Sequence, residues 1–224
     1  MSQAFRNGDG GRIDRGKRVG FTFDGQTYEG YAGDTLASAL LANGVRLVGR
    51  SFKYHRPRGI VGSGAEEPNA LIQLGVGAHT EPNTRATQIA LFEGLIAESQ
   101  NAWPGVGFDV GAINNLVSKV IPSGFYYKTF MWPAAAWMFY EKFIRSAAGL
   151  GKAPTEPDPE TYEKRSVWCD VLVVGGGPAG LAAARAAGAS GARVILADEG
   201  SEFGGSLLSS RDRIEGREGA DWAG

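Results

Sequence analysis

Residues 170–180 read Asp-Val-Leu-Val-Val-Gly-Gly-Gly-Pro-Ala-Gly, an apolar run that passes directly into Gly175-x-Gly177-x-x-Gly180. An alanine-rich stretch, LAAARAAGASG (181–191), follows, and then RVILADE (193–199). Strand, glycine turn, helix and a second strand ending in acid form the first βαβ unit of a Rossmann-type dinucleotide-binding domain. Gly175 permits the tight turn, Gly177 lets backbone approach a diphosphate, and Gly180 lets the helix lie close to the strand. Pro178 and Ala179 complete the turn, and the free N–H groups of residues 177–180 point at the anion. Asp198, 18 residues after Gly180, is placed to accept the adenosine ribose hydroxyls. Asp198 and Glu199 repel a 2′-phosphate, so NADP is disfavoured, and NAD and FAD both satisfy the pattern.

A doubly wound domain needs several more strands to cover both sheet faces, yet about 25 residues follow Asp198 and they end in the polar EGREGADWAG. The unit is therefore incomplete. The expectation is an N-terminal piece of a longer polypeptide whose affinity for a dinucleotide is poor by itself.

The rest of the chain sets the context. Its 224 residues are 43% apolar, with 23 basic and 24 acidic side chains, the balance of a soluble globular protein of about two domains. A single cysteine, Cys169, and two histidines leave no metal site and no iron–sulfur cluster held by four thiolates of this chain. Ser2 to Arg18 has no apolar signal core, which points to the cytoplasm. Met131 to Tyr140, the longest apolar tract, is interrupted by Pro133 and is too short for a membrane span; it reads as a buried helix. Charge is evenly spread, so no segment is a nucleic-acid tail. The basic run Arg46, Arg50, Lys53, Arg56 and Arg58, with Tyr54 and His55 interleaved, reads as a solvated or interface-facing loop, with RNA binding the weaker reading.

Five segments follow from composition: a flexible N-terminus (1–16), a small α+β domain (17–100), an aromatic-rich helical connector (101–152), a proline-containing linker (153–166) and the truncated dinucleotide domain (167–224). In the α+β domain, Val19, Phe21 and Phe23 alternate with polar or small residues, and Asp24-Gly25 turns the chain back through Thr27 to Tyr31, which predicts a β-hairpin. Asp34 is placed to cap a helix LASALLANG that buries Leu36, Leu40 and Leu41 and ends at Asn43-Gly44. Short strands are expected at Arg46–Gly49, Leu71–Leu74 and Arg85–Leu91. The connector holds 11 of the chain's 23 aromatic residues, among them Trp103, Phe108, Phe125, Tyr126, Tyr127, Phe130, Trp132, Phe139 and Phe143, a density that calls for burial.

Three stretches, FTFDGQTYEGYAGDTLASALLANGV (21–45), RSFKYHRPRGIVGSGAEEPNALIQLG (50–75) and DVLVVGGGPAGLAAARAA (170–187), resemble the alpha subunit of heterotetrameric sarcosine oxidase across nearly the whole chain, although such a subunit is much longer. The resemblance implies a ferredoxin-like β-grasp for the first domain. Relatives with a [2Fe–2S] cluster carry a C-G-x-G-x-C-x-x-C run, and its cysteine positions fall here on Val61, Glu66 and Asn69, so the fold is expected without an iron–sulfur cluster. It further implies NAD at the glycine turn, contacted by Ala179, Asp198, Glu199, Gly200 and, beyond Gly204-Gly205, Ser206. FAD and FMN are held through the beta subunit, the chief partner. The family's reaction is oxidative demethylation of sarcosine to glycine with hydrogen peroxide, the one-carbon unit passing to tetrahydrofolate.

No residue of this chain is a credible acid, base or nucleophile for that reaction, since His55 and His79 are lone loop histidines and Cys169 precedes a strand. Two other readings remain: the alpha subunit of a related FAD-dependent amine, opine or proline dehydrogenase, and a non-catalytic truncated remnant.

Overall fold

A computed structural model describes residues 3–120, 124, 132–147, 151 and 153–224, in two compact units, Met1–Pro159 and Glu160–Gly224. The first unit is built on the hairpin β1 (Asp14–Phe23) and β2 (Gln26–Ala32). Asp24 (φ 50°) and Gly25 (φ 74°) both take the left-handed conformation of a tight two-residue turn, which sets Phe21 opposite Tyr28. The sheet has five strands in the order β2-β1-β7-β5-β6, with β5 at Leu71–Leu74, β6 at Glu81–Arg85 and β7 at Leu95–Ser99. β7 runs parallel to β1 and antiparallel to β5. This is a mixed α+β sheet.

The expected strand at Arg85–Leu91 is not formed; Glu81–Arg85 and Leu95–Ser99 are the strands instead. β7 alternates buried Leu95 and Ala97 with exposed Ile96 and Glu98, and it inserts between β1 and β5 as the central strand. Ile89 and Leu91 are buried without being in a strand, because their segment crosses the helix: the Leu36 N–H donates to Ile89 O and the Leu91 N–H to Asp34 O. The expected strand at Arg46–Gly49 reduces to β3 (Gly49–Arg50), paired with β4 (Pro57–Arg58).

Helix α1 (Leu36–Ala42) is capped by Thr35, not Asp34. Thr35 Oγ1 accepts the Ser38 N–H at 3.1 Å while Ser38 Oγ accepts the Thr35 N–H at 3.0 Å, a reciprocal pair. Asp34 lies beneath, 2% exposed, where it accepts both guanidinium branches of Arg6 (3.0 and 2.6 Å), the Tyr31 N–H and the Ser38 hydroxyl. Burial alone would raise its pKa, but these partners outweigh that and hold it below the ordinary aspartate value. Ahead of β1, the Phe5 N–H donates to Ala42 O.

Leu36, Ala37, Ala39 and Leu40 form the buried face of α1, and Leu41 is 38% exposed. The expected trio Leu36, Leu40, Leu41 is corrected by helical geometry: positions 36, 39 and 40 share one face, and 41 is turned about 100° from 40. With Phe21, Phe23, Val48, Ile72 and Leu95 these side chains make one contiguous core, each large one worth about 1.5–3 kcal/mol of burial.

After the sheet come the short helix α2 (Ile113–Leu116) and α3 (Trp137–Ala147). The aromatic density of this region is not matched by burial: Trp103, Phe108, Trp132, Met138, Phe139 and Phe143 are all more than 60% exposed. α3 turns apolar residues outward, so the buried helix expected over 131–140 is not found at its described positions. Met131, Phe125, Tyr126, Tyr127 and Phe130 lie outside the described residues. No described helix is long and apolar enough to cross a membrane.

The second unit contains β8 (Val171–Val174), α4 (Pro178–Ala189) and β9 (Val194–Ala197). β8 and β9 pair in parallel, residue for residue from Val171↔Val194 to Val174↔Ala197. A small hairpin, β10 (Arg213–Ile214) with β11 (Arg217–Glu218), and a last turn α5 (Gly219–Ala223) follow.

Candidate nucleotide-binding turn

The turn between β8 and α4 is held from three sides. The Gly175 N–H donates to Ala197 O at 2.8 Å, extending the parallel ladder by one residue, and Gly175 then takes φ +103°, which only glycine adopts without strain. Gly176 follows, its N–H donating to Asp198 Oδ2 at 2.5 Å and its carbonyl accepting the Gly204 N–H at 2.7 Å. Gly177 is the extended N-cap of α4 and Pro178 its first residue, where the missing proline N–H costs nothing.

Spacing requirements are visible at individual glycines. A Cβ on Gly180 would lie 1.8 Å from Gly175 O, so the helix meets the strand at a distance only a hydrogen side chain allows. A Cβ on Gly177 would meet nothing within 4 Å, so the turn is open in that direction. The donors there belong to Gly177, Ala179 and Gly180. The expectation of a donor from every residue of 177–180 is corrected at Pro178, which has no N–H. These groups and the helix dipole make the turn positive.

Asp198, one residue past β9, points back to the turn. Besides the Gly176 N–H it accepts the Gly200 N–H at 2.6 Å on Oδ1, and these two hydrogen bonds hold its pKa below the ordinary value. Each carboxylate oxygen has a second lone pair, so the group keeps acceptor capacity toward a ligand while the protein fixes its orientation. Gly205 also reaches the turn, its Cβ position lying 3.1 Å from Gly177 Cα. Glu199 and Ser206 are exposed, Glu199 beside the Asp198 hydrogen bonds and Ser206 in the short 3-10 turn Gly205–Leu208. The sequence pattern thus converges at Gly175, Gly177, Pro178, Ala179, Gly180, Asp198, Gly200 and Gly205.

Gly176 and Phe203 were not singled out by the pattern, yet a Cβ on Gly176 would lie 2.3 Å from the Phe203 ring. The residue between two signature glycines is formally unrestricted, and only the loop returning through Phe203 and Gly204 restricts it.

In the first unit, His55 is not a lone histidine: its Nδ1 lies 2.7 Å from Asp109 Oδ2. Burial would raise the Asp109 pKa, but the Trp103 N–H, His55 and the Gly111 N–H lower it below the usual carboxylate range. Four residues of the basic run are engaged internally, with Lys53 and Arg56 over the Tyr54 ring, Arg46 over Phe5, and Arg50 donating to the carbonyls of His55 and Val106, while Arg58 is exposed. Among the described residues no group of three or more His, Cys, Asp or Glu side chains could hold a metal ion.

Residues 16–102 match the family described as a 2Fe-2S iron-sulfur cluster binding domain, and residues 170–211 match the FAD dependent oxidoreductase family. Over 95% of its length the chain is 62% identical to sarcosine oxidase subunit alpha of Rhizobium meliloti (strain 1021). The chain is related to the N-terminal portion of sarcosine oxidase alpha subunits. The subunit from Corynebacterium sp. (strain U-96) is 38% identical, again over 95% of this chain. The chain spans 22% and 18% of these two relatives. Among solved structures, L-proline dehydrogenase from P.horikoshii matches 94% of this chain and 31% of its own at 21% identity, with a TM-score of 0.47.

An iron–sulfur cluster does not fit the first unit. Residues 16–102 contain no cysteine, so the thiolates a cluster needs are not supplied there.

Proposed function

We propose that this chain is the N-terminal part of the alpha subunit of a sarcosine-oxidising complex, and that its second unit begins the adenine-dinucleotide site of a Rossmann-type domain. The observation that carries this reading is the open side of Gly177 beside the Gly180–Gly175 contact, with Asp198 fixed toward the same turn. In this reading the N–H groups of Gly177, Ala179 and Gly180 bind the diphosphate, and Asp198 holds the adenosine ribose. Glu199, Gly200, Gly205 and Ser206 border the adenosine side. These contacts are made to adenosine diphosphate, the half that NAD and FAD share.

NAD is what the resemblance to sarcosine oxidase implies, whereas the match of residues 170–211 to FAD dependent oxidoreductases supports FAD. Either dinucleotide supplies two-electron transfer when bound; the residues of this chain bind and orient it. The overall reaction of such a complex, in which sarcosine is demethylated to glycine, oxygen is reduced to hydrogen peroxide and the one-carbon unit goes to tetrahydrofolate, takes place on other parts of the assembly. The first unit serves as a β-grasp scaffold that packs with the partner subunits, chiefly beta.

The test is the nucleotide content of the full-length alpha subunit. Denaturing it and separating the released nucleotide should yield one adenine dinucleotide per chain. FAD in the isolated subunit would favour the second reading, an amine or proline dehydrogenase-like alpha subunit, and NAD the first. Failure to retain or bind either dinucleotide at saturating concentration would overturn both.

A further inference from the structure

The loop Val61–Ala70 surrounds a single buried anion. Glu67 is 1% exposed, and its carboxylate accepts four backbone N–H groups: Val61 at 2.8 Å and Gly62 on Oε2, Asn69 at 2.7 Å and Ala70 at 3.2 Å on Oε1. Val61 and Asn69 are two of the three positions at which the resemblance places cluster cysteines. The loop is tied to the domain independently of that carboxylate, by Arg85 Nε donating to Glu67 O at 3.1 Å and Thr87 Oγ1 donating to Gly64 O at 2.8 Å.

An array of inward-pointing N–H groups is an anion receptor, and a thiolate-ligated iron–sulfur cluster is itself an anion stabilised by hydrogen bonds to its sulfurs. A domain of the cluster-binding family that has no cysteine in residues 16–102 still needs to satisfy those donors, because a buried unpaired N–H costs about as much as a lost hydrogen bond. We propose that the loop Val61–Ala70 is a carboxylate-binding site whose resident ligand is its own Glu67, taking the role an iron–sulfur cluster plays in relatives that hold one. The site is selective for a small planar monoanion, since two oxygens each receive two donors. The loop is thereby ordered without metal.

Backbone hydrogen exchange on the full chain tests this. In the wild type the amides of Val61, Gly62, Asn69 and Ala70 should exchange slowly compared with those of the exposed loop residues Ser63 and Ala65; equal rates would overturn the proposal. In Glu67→Gln the single amide oxygen can serve only one of the two N–H pairs and its NH2 opposes the other, so at least that pair should exchange roughly tenfold faster or more, and a change below about twofold at all four amides would contradict an anion site. Glu67→Ala empties the receptor. Formate should restore protection of the four amides in that variant and formamide, of the same size but neutral, should not. If both restore it equally, or neither does, the site is not an anion receptor. Formate would act in the same way if Glu67→Ala were unfolded, by refolding the chain where formamide fails.

Discussion

Gly180→Ala should detach the dinucleotide from the second unit without any change at a ligand-contacting side chain. The added Cβ would sit 1.8 Å from Gly175 O and 3.0 Å from Gly175 C. An ordinary C···O approach is about 3.3 Å, so α4 must back away from β8 by roughly 1.5 Å. Intrinsic helix propensity favours alanine by about 1 kcal/mol, while forcing a methyl into a filled contact costs about 1–3 kcal/mol. Net stability should therefore change little, whereas the N–H groups of Gly177 and Ala179 move with the helix. Misplacing binding groups by about 1 Å weakens their action up to a hundredfold, and the expected loss of dinucleotide affinity in the full-length subunit is roughly tenfold to a hundredfold. Gly188→Ala is the control. It lies on the same helix with nothing beyond that helix's own backbone within 4 Å of its Cβ position, so it should gain about 0.5–1 kcal/mol of stability and keep its affinity. The assay is equilibrium dialysis against NAD and FAD, paired with urea unfolding. If the two variants bind alike, the close helix–strand contact does not position the anion-binding turn.

Three further outcomes are expected. Leu40→Ala should cost about 2–5 kcal/mol in urea unfolding, and Leu41→Ala about 1 kcal/mol or less, because Leu40 is fully buried and Leu41 is 38% exposed; equal costs would reverse the assignment of the buried face. Asp34→Asn should cost about 3 kcal/mol by leaving Arg6 without its partner. Asp34 has a folded pKa below its unfolded value of about 3.9; its contribution is therefore complete above that value and is lost as pH falls through the depressed folded pKa. Acid titration of the variant should lack that part of the transition, and an unchanged acid profile would count against the pair. Asp198→Asn should raise the ratio of NADP to NAD binding in the full-length subunit, since it removes a charge facing the ribose; an unchanged ratio would place Asp198 away from the 2′ position.

Local features were legible because neighbouring residues decide them. The β1–β2 hairpin follows from alternation plus Asp24-Gly25, β5 falls at Leu71–Leu74 as read, and the glycine turn follows from its spacing. Reading failed where burial is imposed from a distance. Leu95–Ser99 reads LIAES, in which apolar and polar residues do not alternate; its alternating burial comes from its place between β1 and β5, a long-range pairing. Asp34 has the composition of a helix cap, but Arg6, 28 positions upstream, draws it inward and leaves the cap to Thr35. His55 looks isolated because Asp109 is 54 positions away.

Residue identities limit the chemistry available: the absence of cysteine from residues 16–102 rules out thiolate ligation there, and the Gly175–Gly180 spacing provides a turn able to meet an anion. Where charge is held is set by long-range folding. Glu67, indistinguishable in the sequence from its neighbour Glu66, is drawn under four backbone N–H groups while Glu66 stays exposed. The physical reason is that a chain's hydrogen-bond donors are aimed by its fold, and a carboxylate becomes a ligand only where several of them converge.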